Sequence, residues 1–167
     1  MKIALGADHV GFALKEKVRE YLKSQGLEVE DYGPANSERV DYPDFAEKVA
    51  TQVAAKRADY GVLVCGTGIG MMLAANKVPG IRAVAANDTI SARMAREHNN
   101  ANVLTMGGRM IDAATMRQIV IRGSQPPLPA DATSCAWRKS TPSTNAITRR
   151  KDYEPLPPFT FTRLARS

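Results

Sequence analysis

Between residues 2 and 122 the chain alternates between short apolar runs and longer segments in which apolar residues recur every three or four positions. The short runs have the length of β-strands, and the longer segments have the period of amphipathic helices. The predicted strands are 2–7, 27–33, 60–65, 81–86 and 101–107. The predicted helices are 11–24, 43–57, 69–77, 88–98 and 111–121. The pattern therefore predicts an α/β fold.

The first helix shows the amphipathic pattern most clearly. Leu14, Val18 and Leu22 are four residues apart and charged residues occupy other positions, so we expect one apolar face to be buried. Gly26 follows, where glycine readily takes the left-handed conformation that ends a helix. Pro43 suits the first turn of the second helix.

Strands that alternate with helices at this spacing form right-handed βαβ units. Five of them predict a Rossmann-like, three-layer α/β/α sandwich around a five-stranded parallel sheet. Ligands bind to such sheets beyond the C-terminal ends of the strands. The loops expected to line one cleft there are Asp8-His9, Val40-Asp41-Tyr42, Cys65-Gly66-Thr67, Asn87-Asp88 and Gly107-Gly108-Arg109.

The net charge of +6 raises the question of nucleic-acid binding, and its distribution argues against it. Residues 1–122 hold 16 Lys and Arg against 14 Asp and Glu, whereas residues 123–167 hold 7 against 3. A nearly neutral body with few aromatic residues and no basic helix face is not typical of a nucleic-acid surface.

Sequence features also predict where the protein works. Met1-Lys2 leads directly into a strand, without a secretory signal, and no apolar stretch is long enough to span a membrane. Cys65 and Cys135 are the only cysteines and lie far apart in the sequence, so no disulfide framework is expected. These features predict a protein of the cytoplasm that does not bind membranes.

A glycine-rich loop, Gly66-Thr67-Gly68-Ile69-Gly70, follows the third strand and precedes a helix. It is not a Walker A loop, because no Gly-Lys-Ser/Thr follows, and the dinucleotide fingerprint would need glycine where Met71 stands. Tight packing is one explanation of the glycines. The other is a set of backbone N–H groups that binds an anion or stabilises a developing oxyanion.

Cys65 ends the strand immediately before this loop. A cysteine at such a position is often structural, but N–H dipoles at a helix start favour the thiolate, which can act as a base or a nucleophile. Thr67 adds a hydroxyl group in the same turn. A base beside an oxyanion hole suits acyl transfer, or proton abstraction next to a carbonyl through an enediolate.

The two histidines differ in their predicted positions. His9 lies at the edge of the cleft, either as a surface residue or as a functional one. His98 ends the helix before the last strand, where the helix dipole favours a histidine. This position is at the opposite edge of the sheet from Cys65, so a site that uses both residues requires two subunits.

Four stretches taken together resemble a known family: GADHVGFALK (6–15), VDYPDFA (40–46), GVLVCGTGIGMMLAANKVPGIRA (61–83) and REHNNANVLTMGGR (96–109). They resemble the type B ribose-5-phosphate isomerases and the related galactose-6-phosphate isomerase subunits. The resemblance covers residues 1–122, in order and with the family's spacing.

This resemblance implies an aldose–ketose isomerase of the pentose phosphate pathway that interconverts ribose 5-phosphate and ribulose 5-phosphate without a cofactor or metal. It implies catalytic roles for Cys65 as the base, Thr67 in proton movement, His98 in ring opening and Asp8 as its helper. The implied substrate-binding residues are Asp8, His9, Gly66, Thr67, Gly68, Ile69, Gly70, Asn99 and Arg109. The family also implies a homodimer or tetramer whose sites are shared between subunits. A hexose-6-phosphate isomerase, acting on galactose or allose 6-phosphate, and a non-catalytic paralogue remain alternatives.

Residues 123–167 depart from the family. They hold seven of the ten prolines and show no regular period, so we expect a separate, divergent tail that is disordered or loosely packed. The family's phosphate-binding arginines have no counterpart in the sequence from Gly123 onward. With permitted codons, the same stretch read one base out of frame encodes Trp-Leu-Ala-Thr-Pro-Phe-Ala-Gly-Gly-Arg-His, a family-like segment. The tail is therefore either a frameshift product or a genuine divergent extension.

Overall fold

The computed structural model describes residues 1–124. In this part of the chain five strands alternate with five helices. The strands are β1 (Lys2–Ala7), β2 (Glu28–Asp31), β3 (Tyr60–Cys65), β4 (Ala83–Ala85) and β5 (Val103–Gly107). The helices are α1 (Phe12–Ser24), α2 (Tyr42–Ala54), α3 (Ile69–Ala75), α4 (Thr89–Asn99) and α5 (Ala113–Gly123). The predictions for 125–167 lie outside the described residues.

The five strands form one parallel sheet in the order β2-β1-β3-β5-β4. The central strand β3 is buried along its whole length, as expected of a parallel strand covered on both faces. Cys65, its last residue, is in register with Gly107, the last residue of β5. The predicted five-stranded parallel sheet is confirmed.

Helices cover both faces of the sheet, which gives the predicted α/β/α sandwich. On one face, apolar residues of α1, α4 and α5 form a buried cluster that includes Val18, Ala92 and Ile119. On the other face, α2 and α3 form a second cluster that includes Val49 and Met71. The predicted inner face of α1 is confirmed, because Leu14, Val18 and Leu22 are all buried. Gly26 has the expected positive φ of 73°.

Several elements have bounds that differ from the predicted ones, for local reasons. The second strand ends at Asp31 because Gly33 takes a φ of 99°, outside the extended region. The third helix ends at Ala75 because the Asn76 side chain turns to pair with both the N–H and the C=O of Ala83. The fifth helix begins later than predicted, after Asp112, whose carboxylate accepts the Thr115 N–H at 2.7 Å.

One residue of α1 departs from the amphipathic pattern. Lys15 belongs to the charged positions of the pattern, yet its side chain is buried and ion-paired. Sequence periodicity could not show this, because the partner Asp31 lies on β2. No helix within residues 1–124 is long and apolar enough to cross a membrane.

Candidate active site

The loops that follow β1, β3 and β5 meet at the C-terminal edge of the sheet, as predicted. The Asp8 N–H donates to the Val64 carbonyl at 3.0 Å, and the Gly108 N–H donates to the Cys65 carbonyl at 2.7 Å. These bonds continue the parallel pairing past the ends of the strands. They bring the loops that carry Asp8, Cys65 and Arg109 together around one place.

The thiol of Cys65 contacts the start of the glycine loop. Its Sγ accepts the N–H of Gly68 at 3.1 Å, and the residue is 5% exposed. This hydrogen bond holds the sulfur against the start of the loop. The Thr67 Oγ1 accepts the Ile69 N–H at 3.3 Å, and Thr67 itself is exposed. The thiol and the hydroxyl therefore lie in the same turn.

Glycine is required at position 68 for two separate reasons. Its φ is 85°, and a Cβ there would lie 3.1–3.3 Å from backbone atoms of Met106. The Gly68 carbonyl also accepts the buried Thr105 hydroxyl at 2.7 Å. The loop is thus packed directly onto β5, and this packing holds its N–H groups in place.

Replacing Gly68 should therefore cost more stability than the positive φ alone requires. We expect Gly68→Ala to lower the free energy of unfolding by about 2–4 kcal/mol, because backbone strain and overpacking add. Gly80→Ala is the matched control, because Gly80 has a φ of 84° with no atom within 4 Å of the added Cβ. It should cost about 1 kcal/mol. Urea unfolding measures both, and equal losses would contradict the packing argument.

Asp8 and His9 lie at the same edge of the sheet. Asp8 is buried, and its Oδ1 accepts the Gly11 N–H at 2.7 Å, which fixes the turn into α1. The His9 Nδ1 lies 3.4 Å from the Val40 nitrogen and accepts its N–H. This contact favours the tautomer with the proton on Nε2, a donor that suits an anionic ligand.

Arg109 lies against the glycine loop. Its N–H donates to the Gly66 carbonyl at 3.2 Å, and its Cδ is 3.9 Å from the position that a Cβ on Gly66 would occupy. The residue is exposed. Arg109 therefore brings a positive charge to the mouth of the cleft.

His98 and Asn99 do not join this group. They belong to the last turn of α4, which ends near the N-terminal edge of the sheet. The Arg82 Nε donates to the Asn99 carbonyl at 2.6 Å, and Arg82 immediately precedes β4. The predicted placement at the edge opposite Cys65 is confirmed.

The side chain of Arg96 shows how far this turn is from the thiol. Its guanidinium lies over the ring of Tyr60, 5.8 Å from the centroid, and Tyr60 is the first residue of β3 whereas Cys65 is the last. A strand of that length spans about 16 Å. Burial raises the pKa of Tyr60 and lowers that of Arg96. Within one chain, His98 therefore lies about one strand length away from Cys65.

Three further residues organise the site without being among the predicted site residues. The Tyr42 ring covers Gly70, with ring atoms 3.1–3.5 Å from the position of an added Cβ. Asn87 joins two loops, because its amide donates to the Thr67 carbonyl at 3.0 Å and accepts the Gly107 N–H at 2.7 Å. The sequence could have indicated Tyr42 and Asn87, because both fall in the loops expected to line the cleft. Thr105 lies inside β5, and no feature of the sequence pointed to it.

No group of three or more His, Cys, Asp or Glu side chains within residues 1–124 is arranged to hold a metal ion. The site residues present are instead a thiol, backbone N–H groups, a hydroxyl, an imidazole and a guanidinium. This set can move a proton and bind an anion.

Comparison with known proteins connects this geometry to a family. A family model described as Ribose/Galactose Isomerase matches residues 3–122. The chain belongs to the ribose/galactose isomerase family. The matched region ends at Arg122, just before the residues predicted to form a divergent tail.

Curated relatives span both branches of the family. The chain is 48% identical to ribose-5-phosphate isomerase B of Escherichia coli over 119 residues, which are 71% of this chain and 80% of that protein. It is 44% identical to a galactose-6-phosphate isomerase subunit LacB of Clostridium acetobutylicum over 120 residues, 72% of this chain and 69% of that protein.

Solved structures agree with the fold. Ribose-5-phosphate isomerase B of Clostridium thermocellum superposes with a TM-score of 0.82 at 42% identity, covering 84% of this chain and 95% of that one. The enzyme of Mycoplasma genitalium with bound ribulose-5-phosphate gives 0.79 at 35% identity, covering 84% and 93%.

Proposed function

We propose that this chain interconverts ribose 5-phosphate and ribulose 5-phosphate by moving a proton between C1 and C2 of the open sugar. One observation carries the proposal: the Cys65 thiol accepts the Gly68 N–H of a glycine loop, in a chain 48% identical to a protein named ribose-5-phosphate isomerase B. A base beside N–H donors is what an enediolate mechanism needs.

In this mechanism the Cys65 thiolate removes the proton from C2 of the open-chain aldose. The electron pair of that C–H bond forms the C1–C2 double bond, and the carbonyl oxygen on C1 becomes the enediolate oxygen. Backbone N–H groups of residues 66–70 stabilise that charge. The Thr67 hydroxyl carries the proton from the oxygen on C2 to the oxygen on C1. The thiol then returns its proton to C1, which leaves the ketose and the thiolate.

Ring opening is assigned to His98 of a second copy of the chain, with Asp8 assisting and Asn99 contacting the sugar. The separation of His98 from Cys65 within one chain supports this assignment. A homodimer or a dimer of dimers would supply both residues to each site, because a two-fold interface repeats every contact.

The exposed apolar residues give this dimer a surface. Ile69 and Leu73 on α3 and Ile90 and Met94 on α4 are all exposed, and α3 and α4 both contact the edge strand β4. Because α3 and α4 pack on opposite faces of the sheet, these residues form one apolar pair on each side of the β4 edge. Exposed apolar patches mark interaction sites. We propose that this β4 edge receives the second copy.

The substrate phosphate is assigned to His9 and Arg109. The family's further arginines have no counterpart in the sequence from Gly123 onward. We propose that this divergent, Pro-rich stretch, which follows the 1–122 isomerase domain in the sequence, arose by a frameshift. Each missing charged hydrogen bond would weaken phosphate binding by about 1.5–3 kcal/mol. Sequencing the gene tests the origin of the tail, since a DNA sequence without a family-like alternate frame would contradict it. We place the protein in the cytoplasm, in the pentose phosphate pathway.

A hexose-6-phosphate isomerase is the second candidate, favoured by the 44% identity to a galactose-6-phosphate isomerase subunit. Turnover of ribose 5-phosphate, galactose 6-phosphate and allose 6-phosphate by the same preparation separates the two. We expect kcat/KM for the pentose to be at least about 100-fold higher, because a pocket fitted to the shorter chain misplaces the reacting carbons of a hexose. A preference for a hexose would reverse the assignment, and a folded protein inert on all three would indicate a non-catalytic paralogue.

A further inference from the structure

The most deeply buried charge in the described part of the chain belongs to Lys15. Its side chain is 1% exposed, although it lies on α1 among charged residues. The ammonium donates to both oxygens of Asp31, at 3.0 and 2.8 Å, and to the Pro34 carbonyl at 2.8 Å. The Glu16 carboxylate is 3.2 Å away, and the Phe12 ring centroid 5.2 Å. Removing an ammonium from water is costly unless it is paired, and here three hydrogen bonds to oxygen atoms replace its water.

These bonds fix the turn at residues 31–34. The Gly33 N–H donates to Asp31 at 2.9 Å, and the Gly33 carbonyl accepts the N–H of Ala7 at 2.9 Å. Ala7 directly precedes Asp8, a residue of the cleft. The Lys15 ammonium therefore contacts a turn that is hydrogen-bonded to the end of β1.

The segment that follows this turn reaches the glycine loop. Val40 donates its N–H to the His9 Nδ1, and Tyr42 covers Gly70. Residues 35–39 between the turn and these contacts are exposed, so little packing of their own holds them. The path of the segment depends on its two ends, the 31–34 turn and the start of α2.

We propose that Lys15 is a positioning residue for this site. Its ammonium holds the 31–34 turn, and through it the 35–42 segment against His9 and the glycine loop. The effect on catalysis rests on the proposed function; the effect on the segment does not. Stability alone is a weak reason for the lysine, since buried ion pairs often contribute little compared with apolar replacements of equal size.

A neutral residue of the same length tests the proposal. Lys15→Met should fold, because Asp31 keeps the Gly33 N–H and the Arg19 Nη1 at 3.3 Å. We expect amide hydrogen exchange in residues 33–42 to become about tenfold faster. We also expect KM for ribose 5-phosphate to rise about tenfold with kcat changed less than about threefold, because the thiol is not disturbed.

Lys17→Met is the matched control, since Lys17 is an exposed lysine on the same helix. Lys17→Met should change neither the hydrogen exchange of residues 33–42 nor KM. If Lys15→Met matches Lys17→Met in both hydrogen exchange and KM, the proposal is wrong. The proposal is also wrong if Lys15→Met loses kcat and stability to the same extent while hydrogen exchange at residues 33–42 is unchanged.

If Lys15→Met does not fold, Asp31→Asn is used instead, because asparagine keeps the shape of the side chain and binds the ammonium more weakly. Hydrogen exchange and KM then decide in the same way. If the wild-type chain does not turn over ribose 5-phosphate, the exchange result still decides this inference and only the proposed function fails.

Discussion

Replacing Cys65 with alanine should lower turnover of ribose 5-phosphate by about a thousandfold while the chain stays folded. The methyl group cannot accept a proton, and a positioned general base is worth about 10²–10⁴ in rate. The residue is buried against the glycine loop, so losing the sulfur also leaves a small void. That void should cost about 1–2 kcal/mol of the free energy of unfolding. Steady-state turnover and urea unfolding on the same preparation measure the two effects.

The chain offers its own control for this substitution, since Cys135 is its only other cysteine. Cys135→Ala should keep the activity of the parent chain, and Cys65→Ser tests whether an oxygen in place of the sulfur suffices. Near-parental activity in folded Cys65→Ala would show that another group is the base. This result would not affect the family membership, but the mechanism that assigns the base to Cys65 would be wrong.

Mixing two inactive variants should restore part of the activity. A dimer of one Cys65→Ala chain and one His98→Asn chain has one site with both residues intact and one site with neither. Random exchange makes about half of the dimers mixed, so recovery should approach about a quarter of the parental activity. The physical basis is the position of His98 at the opposite sheet edge from Cys65.

The control for this experiment mixes Cys65→Ala chains with chains that carry both substitutions, which creates no intact site. Differently tagged chains, co-purified through both tags, demonstrate that subunits exchanged. Activity that stays at the level of the separate variants, in a sample shown to contain mixed dimers, would contradict a shared site. Activity in the His98→Asn homodimer alone would remove His98 from the mechanism.

The sequence predicts the architecture well because its signals are local. Strand β3 is a continuous apolar run and α1 has a regular four-residue spacing, and both elements form as the pattern indicates. The convergence of Asp8, Cys65 and Arg109 also follows, because in a parallel sheet all strand ends that precede helices share one edge. The position of His98 at the other edge follows from the same rule.

The parts that the pattern does not predict depend on contacts between distant residues. Lys15 is buried only because β2 places Asp31 beside it, and Tyr42 meets Gly70 only because α2 packs beside α3. The end of α3 is set by Asn76 bonding to Ala83 across a turn. No periodicity within a single element carries that information.

The most direct test of the proposed function is turnover of ribose 5-phosphate to ribulose 5-phosphate by the purified 167-residue chain, with a chelator present. We expect product that depends on the chain and disappears in Cys65→Ala, with KM raised by the missing arginines. A folded chain that forms no product would contradict the account as it stands. In that case the chain with the alternate-frame segment in place of its tail shows whether the loss lies in the tail or in the site assigned to residues 1–124.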